Sequence, residues 1–445
     1  MQKLQAVRGT HDLHPELENQ HYQVTETARG LAKLYGFAAM ATPLIEFREV
    51  FSRSVGETSD IVSKEMFVVQ SPHSSPEEAT AMVLRPEGTA AVMRAMIHGN
   101  RLESLPQRVF YAGPMFRYER PQKGRMRQFH QIGVEAVGAT AGLADGEIIA
   151  LAAEILATLL PGRSLRLELN SLGDRESRES WRAALVEHFT RHESSLSEVS
   201  RERLHKNPLR ILDSKERCDQ PMIAEAPELT PFLSADSRRI FDQLQAQLEA
   251  LAIPYHLSRR LVRGLDYYCH TVFEFVTEEL GSQGTVLAGG RYDGLVAALG
   301  GPAVAGIGWA AGIERLVELR CGSEPPAIAA PTVMVVGIGA NEPPFAVAAE
   351  CLKLARQLRE VGIAVELDYS GNPKKALQRA NRIGTGFAVM IGEAEVASRS
   401  VQLKNLANSE QLTLPLDRLV ATMAGLSRHL TEVHAHPHSS VDCCG

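Results

Sequence analysis

The sequence is poor in the features that mark a secreted, membrane-embedded or covalently stapled protein. Nowhere is there an uncharged apolar stretch of about 18 residues that could span a bilayer. The opening segment, MQKLQAVRGTHDLHPELE, lacks the apolar run of an export signal, so the chain is expected in the cytosol, with no membrane partner. Six cysteines (Cys218, Cys269, Cys321, Cys351, Cys443 and Cys444) are scattered without a CxxC pair. That argues against both a disulfide framework and a zinc knuckle, and reduced thiols are expected. A formal net charge of −6 argues against general coating of nucleic acid, which needs a surplus of Lys and Arg, yet it leaves room for a local basic surface. GxxxxGK[ST] is absent, and no GxGxxG follows a strand with an acidic residue in the right place. A P-loop or Rossmann nucleotide site is therefore unsupported, and any nucleotide must be held by another fold.

What is present fits an ordinary globular protein: 44% hydrophobic and 22% charged residues in a chain of 445, long enough for two principal domains. Residues 14 to 36 read as a helix with Leu17, Val24, Ala28, Leu31 and Leu34 on one stripe, closing at Gly36. Thr89 to His98 reads as another. From Val109 onward two strand-like runs flank ERPQKGRMR and predict a long antiparallel hairpin with a basic loop. An apolar helix over 145 to 160 stops at Pro161-Gly162, and a strand follows from Leu165 to Asn170. Between about 174 and 236 the chain is dense in charge and poor in strand signals. It reads either as a helical insertion or as solvated helices without a partner. Strand patterns resume at Tyr255 and at Thr271 to Val276, while the glycine-rich VLAGGRYDGL sits between turns. The linker CGSEPPAIAAP marks a boundary near 320 to 331. Beyond it, a β-α-β-α-β order over about 331 to 425 predicts a small α/β domain with a mixed or parallel sheet. Residues 426 to 445 read as a disordered tail.

Four elements carry chemistry. On the second hairpin strand, alternation places Gln131, Gly133 and Glu135 on one face. The missing side chain at Gly133 leaves space for a small ligand between an amide and a carboxylate, unless these are simply polar residues on an exposed face. Arg117 ends the first strand, and the loop adds Arg120, Lys123, Arg125 and Arg127. Arginine forks match phosphate oxygens, although a charged turn without a duty is the competing account. LVRGLDYY, residues 261 to 268, combines Arg263 with Tyr267 and Tyr268. The hydroxyls can bond an imidazole and the guanidinium can neutralise charge on phosphorus, or the tyrosines are half-buried core. In RPEGT, Glu87 and Thr89 open a helix, where capping is the alternative duty. GIGWAAGIERL, residues 306 to 316, is a glycine-punctuated strand running into a helix.

In this order the elements resemble the class II aminoacyl-tRNA synthetases and, within them, the bacterial histidyl-tRNA synthetase family. The resemblance covers nearly the whole chain. PLIEFREVFSRSVGETSDIVSKEMF is similar to the family's first motif, which builds a dimer interface; FRYERPQKGRMRQFHQIGVE and GIGWAAGIERL are similar to the second and third, which hold ATP on an antiparallel sheet. RGLDYY with AGGRYDGL resembles the signatures of the histidine enzymes. The resemblance implies an α+β catalytic domain over 1–325, its antiparallel sheet flanked by helices and interrupted by a helical insertion near 174–236. A C-terminal α/β anticodon-binding domain over 331–425 would follow, in a homodimer. It implies ATP-dependent activation of L-histidine and transfer of the histidyl group to tRNA(His). Glu87, Thr89 and Gln131, with Gly88 beside them, would hold the α-amino group; Glu135 and Tyr268, with Tyr267, would read the imidazole. Arg117, Glu119, Arg125 and Arg315 would hold ATP. Arg263 would touch both histidine and the reacting phosphate, where related synthetases place a metal ion. Catalysis would fall to Arg263 and Arg117, with Mg2+ on the outer phosphates and no metal held by the protein itself. The insertion would approach the acceptor arm of the tRNA.

Departures from the pattern are Cys269-His270 after the double tyrosine, Trp309 where phenylalanine is commoner, and a tail carrying His434, His436, His438, Cys443 and Cys444. A regulatory paralogue that senses histidine without charging tRNA would lack the final domain and parts of the ATP site. An RNA-independent ligase would have no need of that domain.

Overall fold

The computed structural model describes residues 4–56, 59–70, 82–122, 124–212, 214–258, 261–262, 265–281, 284–320, 333–339 and 345–435. Arg263, Gly264, Lys123, Cys321, His436, His438, Cys443 and Cys444 lie outside them. Two compact units divide the chain, Met1–Pro326 and Ala327–Gly445. Among the described residues no helix is long and apolar enough to cross a membrane.

The strands of the first unit are β1 (Ala38–Ala39), β2 (Ile45–Phe47), β3 (Met82–Leu84), β4 (Gln107–Phe116), β5 (Gln128–Val137), β6 (Arg166–Ser171), β7 (Tyr255–Leu257), β8 (Cys269–Val276), β9 (Thr285–Arg291) and β10 (Gly306–Gly312). Eight of them form one sheet in the order β1-β4-β5-β10-β9-β8-β6-β7, and β2 pairs with β3 apart. The six central strands run antiparallel, and parallel pairs close the two edges. The hairpin of β4 and β5 pairs without a slip from Gln107 opposite Val137 to Phe116 opposite Gln128. Because side chains alternate, a ten-residue register of this kind fixes what each face carries.

One face is core. Ile132, Val134 and Ala136 join Phe273, Ile307, Trp309 and Ala311 under residues of the helices Pro15–Leu34, Leu143–Leu159 and Ala235–Ala250. Pro15 opens its helix at the position where a missing N–H is harmless, and the chain leaves it through Gly36 at φ +78. The buried stripe is His21, Val24, Ala28 and Ala32; Leu34 is 79% exposed, because the helical turn per residue carries it off that stripe. Trp309 fills the space expected for phenylalanine and donates its Nε1–H to Ile148 O at 3.2 Å. Arg291 is wholly buried, bonded to Asp145, to Ala139 O at 2.8 Å and to Asp293 at 3.0 Å.

The glycine-rich run sits between turns as expected, and its first part, up to Arg291, is strand β9. Its glycines are there for close neighbours, since a Cβ on Gly289 would fall 2.3 Å from Gly308 O and one on Gly290 2.5 Å from Thr271 O. At the start of β8 the register against β9 shifts between Cys269 and Val272, and His270 takes φ +46. That irregularity is where the Cys269-His270 departure acts; the Cys269 sulfur accepts from the Asp293 N–H at 3.3 Å, and burial pushes its thiol up to about 12. The charged insertion is a folded body, not a set of solvated helices. Its helices Arg175–Arg191 and Glu198–Lys206 bury Trp181, Leu185, Phe189 and Leu204 in the same cluster as Tyr111 and Tyr268.

In the second unit β11 (Val333–Gly337), β12 (Val365–Leu367), β13 (Phe387–Ile391), β14 (Ser400–Asn405) and β15 (Gln411–Pro415) form a sheet ordered β12-β11-β13-β14-β15. The first three strands are parallel and the last two antiparallel, so the sheet is mixed. Its closing helix, Leu416–Ala435, runs well into the segment expected to be a tail. No proline or glycine interrupts SRHLTEVHA, so nothing in that stretch breaks the helix before Pro437.

Candidate active site

The other face of the sheet is hollow. Gly133 of β5 stands opposite Tyr111 of β4 and Ala310 of β10, Glu135 opposite Gly308, and Gln131 opposite Gly113 and Gly312. Continuing across, Ala310 faces Ala288 of β9, which faces Glu274 of β8. Glycine and alanine thus pave the centre while larger polar groups stand at its borders. Over this floor lies a cavity of about 340 Å³, within the range that holds small-molecule ligands.

The cavity is lined by Glu87, Thr89, Gln131, Tyr267 and Tyr268, among others. Glu87 is 4% exposed and caps the helix Thr89–His98, accepting from the backbone N–H groups of Thr89 at 2.6 Å and Ala90 at 2.9 Å. Burial pushes its pKa up, and those two bonds oppose the rise. The Thr89 hydroxyl serves another purpose: it donates to Glu135 at 2.7 Å. Tyr267 and Tyr268 lie with ring centroids 4.6 Å apart, and Tyr267 meets Tyr292 edge to face at 5.9 Å.

Glu135 does not stand on the cavity wall. It is fully buried, held by the hydroxyls of Thr89 and of Tyr292, the latter at 2.5 Å. Burial is the main reason that its carboxyl rises from 4.5 to about 8; the two hydroxyl bonds oppose the rise and the nearby Glu87 adds to it. The expected resting place for a ligand on the bare backbone of Gly133 is filled by Tyr111. A Cβ there would lie 2.4 Å from the Tyr111 ring, and one on Gly88 would lie 2.3 Å from it. Those glycines exist to seat an aromatic ring. Among the described residues, Gln131 Oε1 is buried without a hydrogen-bond partner, an arrangement that suits a polar ligand.

The same wall carries three arginines. Arg117, Arg125 and Arg315 line it with Glu119. Arg117 donates from Nε to Pro86 O at 2.9 Å and lies over the Phe129 ring at 5.4 Å, which aims the guanidinium. Arg125 pairs with Glu119 at 2.9 Å. Arg315 donates to Gly124 O in the hairpin loop and to Thr285 O; burial and then the neighbouring Arg125 lower its pKa. The three guanidinium forks, interleaved with the carboxylates of Glu119, Glu274 and Glu314 on the lining, match phosphate oxygens. Arg263 lies outside the described residues, between Val262 and Leu265, and Leu265 itself lines the cavity.

Reading the sequence missed Tyr111, Phe129, Glu274, Glu314 and Lys215, all at or under the cavity. Tyr292 sits inside the quoted AGGRYDGL without an assigned role. For Tyr111 a signal existed, since alternation on the first hairpin strand puts a large ring opposite a glycine. Lys215 gave none. In the second unit, Lys374, Lys375, Arg379 and Arg382 do share the helix Pro373–Arg382, with Arg379 already paired to Glu366.

An antiparallel sheet with one face stripped for a ligand, three arginines on the cavity over it and a separate mixed-sheet unit behind it in sequence define a class II-type synthetase. Comparison with known proteins gives the particular family. The family described as histidyl-tRNA synthetase matches residues 9–316, and the one described as anticodon binding domain matches residues 332–426. A histidine–tRNA ligase of Gluconacetobacter diazotrophicus is 50% identical over 428 residues, covering 96% of this chain and all of the relative. That of Rhodospirillum rubrum is 48% identical, covering 94% of this chain and 97% of its own. The apo histidyl-tRNA synthetase of S. aureus superposes with a TM-score of 0.78 at 32% identity, over 95% of this chain and 100% of that one. The chain belongs to the histidyl-tRNA synthetase family.

Proposed function

We propose that this cavity activates L-histidine with ATP and passes the histidyl group to the 3′ end of tRNA(His), releasing pyrophosphate and AMP. One observation carries the reading: residues far apart in sequence line a single cavity that brings carboxylate, phenol and guanidinium groups together. Histidine has the complementary character. Its ammonium group goes to Glu87, Thr89 and Gln131, and its imidazole toward Tyr268 and the buried Glu135. Off the cavity wall and under two hydroxyl donors, that carboxyl keeps hydrogen-bonding capacity for a ring nitrogen that displaces one of them. Competing amino acids without a ring nitrogen would leave those groups unpaired, which costs them most of their affinity.

The histidine carboxylate attacks the α-phosphorus and pyrophosphate departs. Charge then crowds at the junction of two anions, where fixed guanidinium groups do the most. Arg117, aimed by Pro86 and Phe129, fits that place, with Arg263 as its partner from the family pattern; Arg125 and Arg315 fit the outer phosphates. Mg2+ would enter with the nucleotide, and Glu119 and Glu274 supply hard oxygen donors on the same wall. Bound there, it would neutralise charge on the outer phosphates.

The second unit serves the tRNA far from the reacting end, as its family description supports. Self-association is proposed through the β2–β3 region, where Leu44, Ile45, Phe47 and Val68 are all at least 40% exposed. We take the compartment to be the cytosol, where ATP and tRNA meet. Histidine-dependent exchange of labelled pyrophosphate into ATP tests the first step, and Arg263→Ala is expected to abolish it. Exchange with another amino acid but not histidine would overturn the substrate. Charging of purified tRNA separates an enzyme from a histidine sensor.

A further inference from the structure

Beside the cavity, three ligand-type side chains from distant parts of the chain converge. His21 comes from the helix Pro15–Leu34, His130 from β5 and Glu314 from the helix Ile313–Arg320. One ligand atom from each lies within 4.8 Å of the other two. The imidazoles meet edge to face at 5.2 Å. Glu314 accepts the backbone N–H of His130 at 2.9 and 3.0 Å, and its Oε1 lies 2.9 Å from His130 Nδ1. His21 is only 5% exposed, and among the described residues its Nε2 is buried with no hydrogen-bond partner. A buried imidazole normally has both nitrogens satisfied, so this one lacks an electron-pair acceptor or a donor.

We infer that His21, His130 and Glu314 form a binding site for a divalent transition metal of the zinc class. Two imidazole nitrogens and one carboxylate oxygen are the ligand set of open zinc sites, with a fourth position left for water. Magnesium does not suit it, because that ion prefers an all-oxygen octahedron. The metal takes the place of the proton between His130 Nδ1 and Glu314 Oε1. Bonds of about 2.0–2.2 Å need that pair to open by roughly half an ångström, and His21 to swing inward by a change of ring angle. Glu314 also faces the cavity, next to Arg315 in the chain, so the ion would pin the first helix and the central strand to the cavity wall. No spacing in the sequence announces the site, since its ligands fall at 21, 130 and 314.

The test uses untagged full-length chain carrying His434→Ser, His436→Ser, His438→Ser, Cys443→Ser and Cys444→Ser, so that the C-terminal ligands do not compete. Titration with Co2+ alone is expected to give the intense visible bands of a four-coordinate ion at one equivalent, and Zn2+ is expected to erase them. His21→Leu and His21→Gln should both lose the bands while keeping their circular dichroism. Bands that persist in the His21 variants, or only the weak spectrum of a six-coordinate ion, would overturn the inference. Should both variants fail to fold, nitrogen-15 spectra of the unsubstituted imidazoles decide it: Zn2+ must shift His21 and His130 together, and unshifted signals count against the site.

Discussion

Replacing Glu135 by glutamine removes a titrating proton from the most enclosed part of the site and leaves shape almost unchanged. Glu135 is fully buried, and its carboxyl stands at about 8 against an ordinary 4.5. At about 1.36 kcal/mol per pH unit, that interval corresponds to on the order of 5 kcal/mol. The folded chain binds this proton more tightly than the unfolded chain, so the contribution to stability is fully present below about 4.5. It is lost progressively as pH rises toward 8 and then levels off. Both tryptophans, Trp181 and Trp309, belong to the first unit, so their fluorescence follows its unfolding alone. Urea unfolding of wild type and E135Q at intervals from pH 5 to pH 9, read this way, should show two curves that diverge. The variant gains on the wild type by several kcal/mol toward alkaline pH. Histidine-dependent pyrophosphate exchange should meanwhile fall roughly 5- to 150-fold, the equivalent of about 1–3 kcal/mol for a polar group left poorly paired. Parallel stability curves would refute the reasoning, because they would mean that Glu135 titrates alike in folded and unfolded chain.

Three further changes probe neighbouring parts. Asp145→Asn leaves the guanidinium of Arg291, 0% exposed, facing a neutral amide, and should cost about 3–5 kcal/mol by the same fluorescence measurement. Gly308→Ala sets a methyl 1.9 Å from a Glu135 oxygen and 2.3 Å from Val134 O; about 1–3 kcal/mol of destabilisation and a raised KM for histidine are expected from steady-state exchange. Arg315→Lys keeps the charge but not the fork, so KM for ATP should rise about tenfold while that for histidine stays within twofold.

How much of this was legible follows from how far apart the interacting residues are in the chain. The hairpin, the helix beginning at Thr89 and the change of texture after Pro326 are local patterns, and periodicity or turn chemistry exposes them. The family motifs went further and assembled the cavity's wall from Glu87, Thr89, Arg117, Gln131, Tyr267, Tyr268 and Arg315, which no spacing could have joined. Neither route showed where Glu135 would sit. Its partners, Thr89 and Tyr292, are 46 and 157 residues away, and its depth is set by four strands stacking in a particular register.

The glycines explain why that last step resists a reader of sequence. Gly88, Gly133, Gly290 and Gly308 each lie where a side chain would strike a neighbour, yet the neighbours differ: Tyr111 for the first two, Thr271 O and Tyr268 for the third, Glu135 and Val134 O for the fourth. A glycine inside a strand announces that something approaches and is silent on what. Taken as room for a ligand, Gly133 pointed to the wrong occupant; a ring from the adjacent strand had already claimed the space. The difference matters for the site's electrostatics, because Tyr111 and Tyr292 close over the Glu135 carboxyl, and that burial, more than any single hydrogen bond, lifts it.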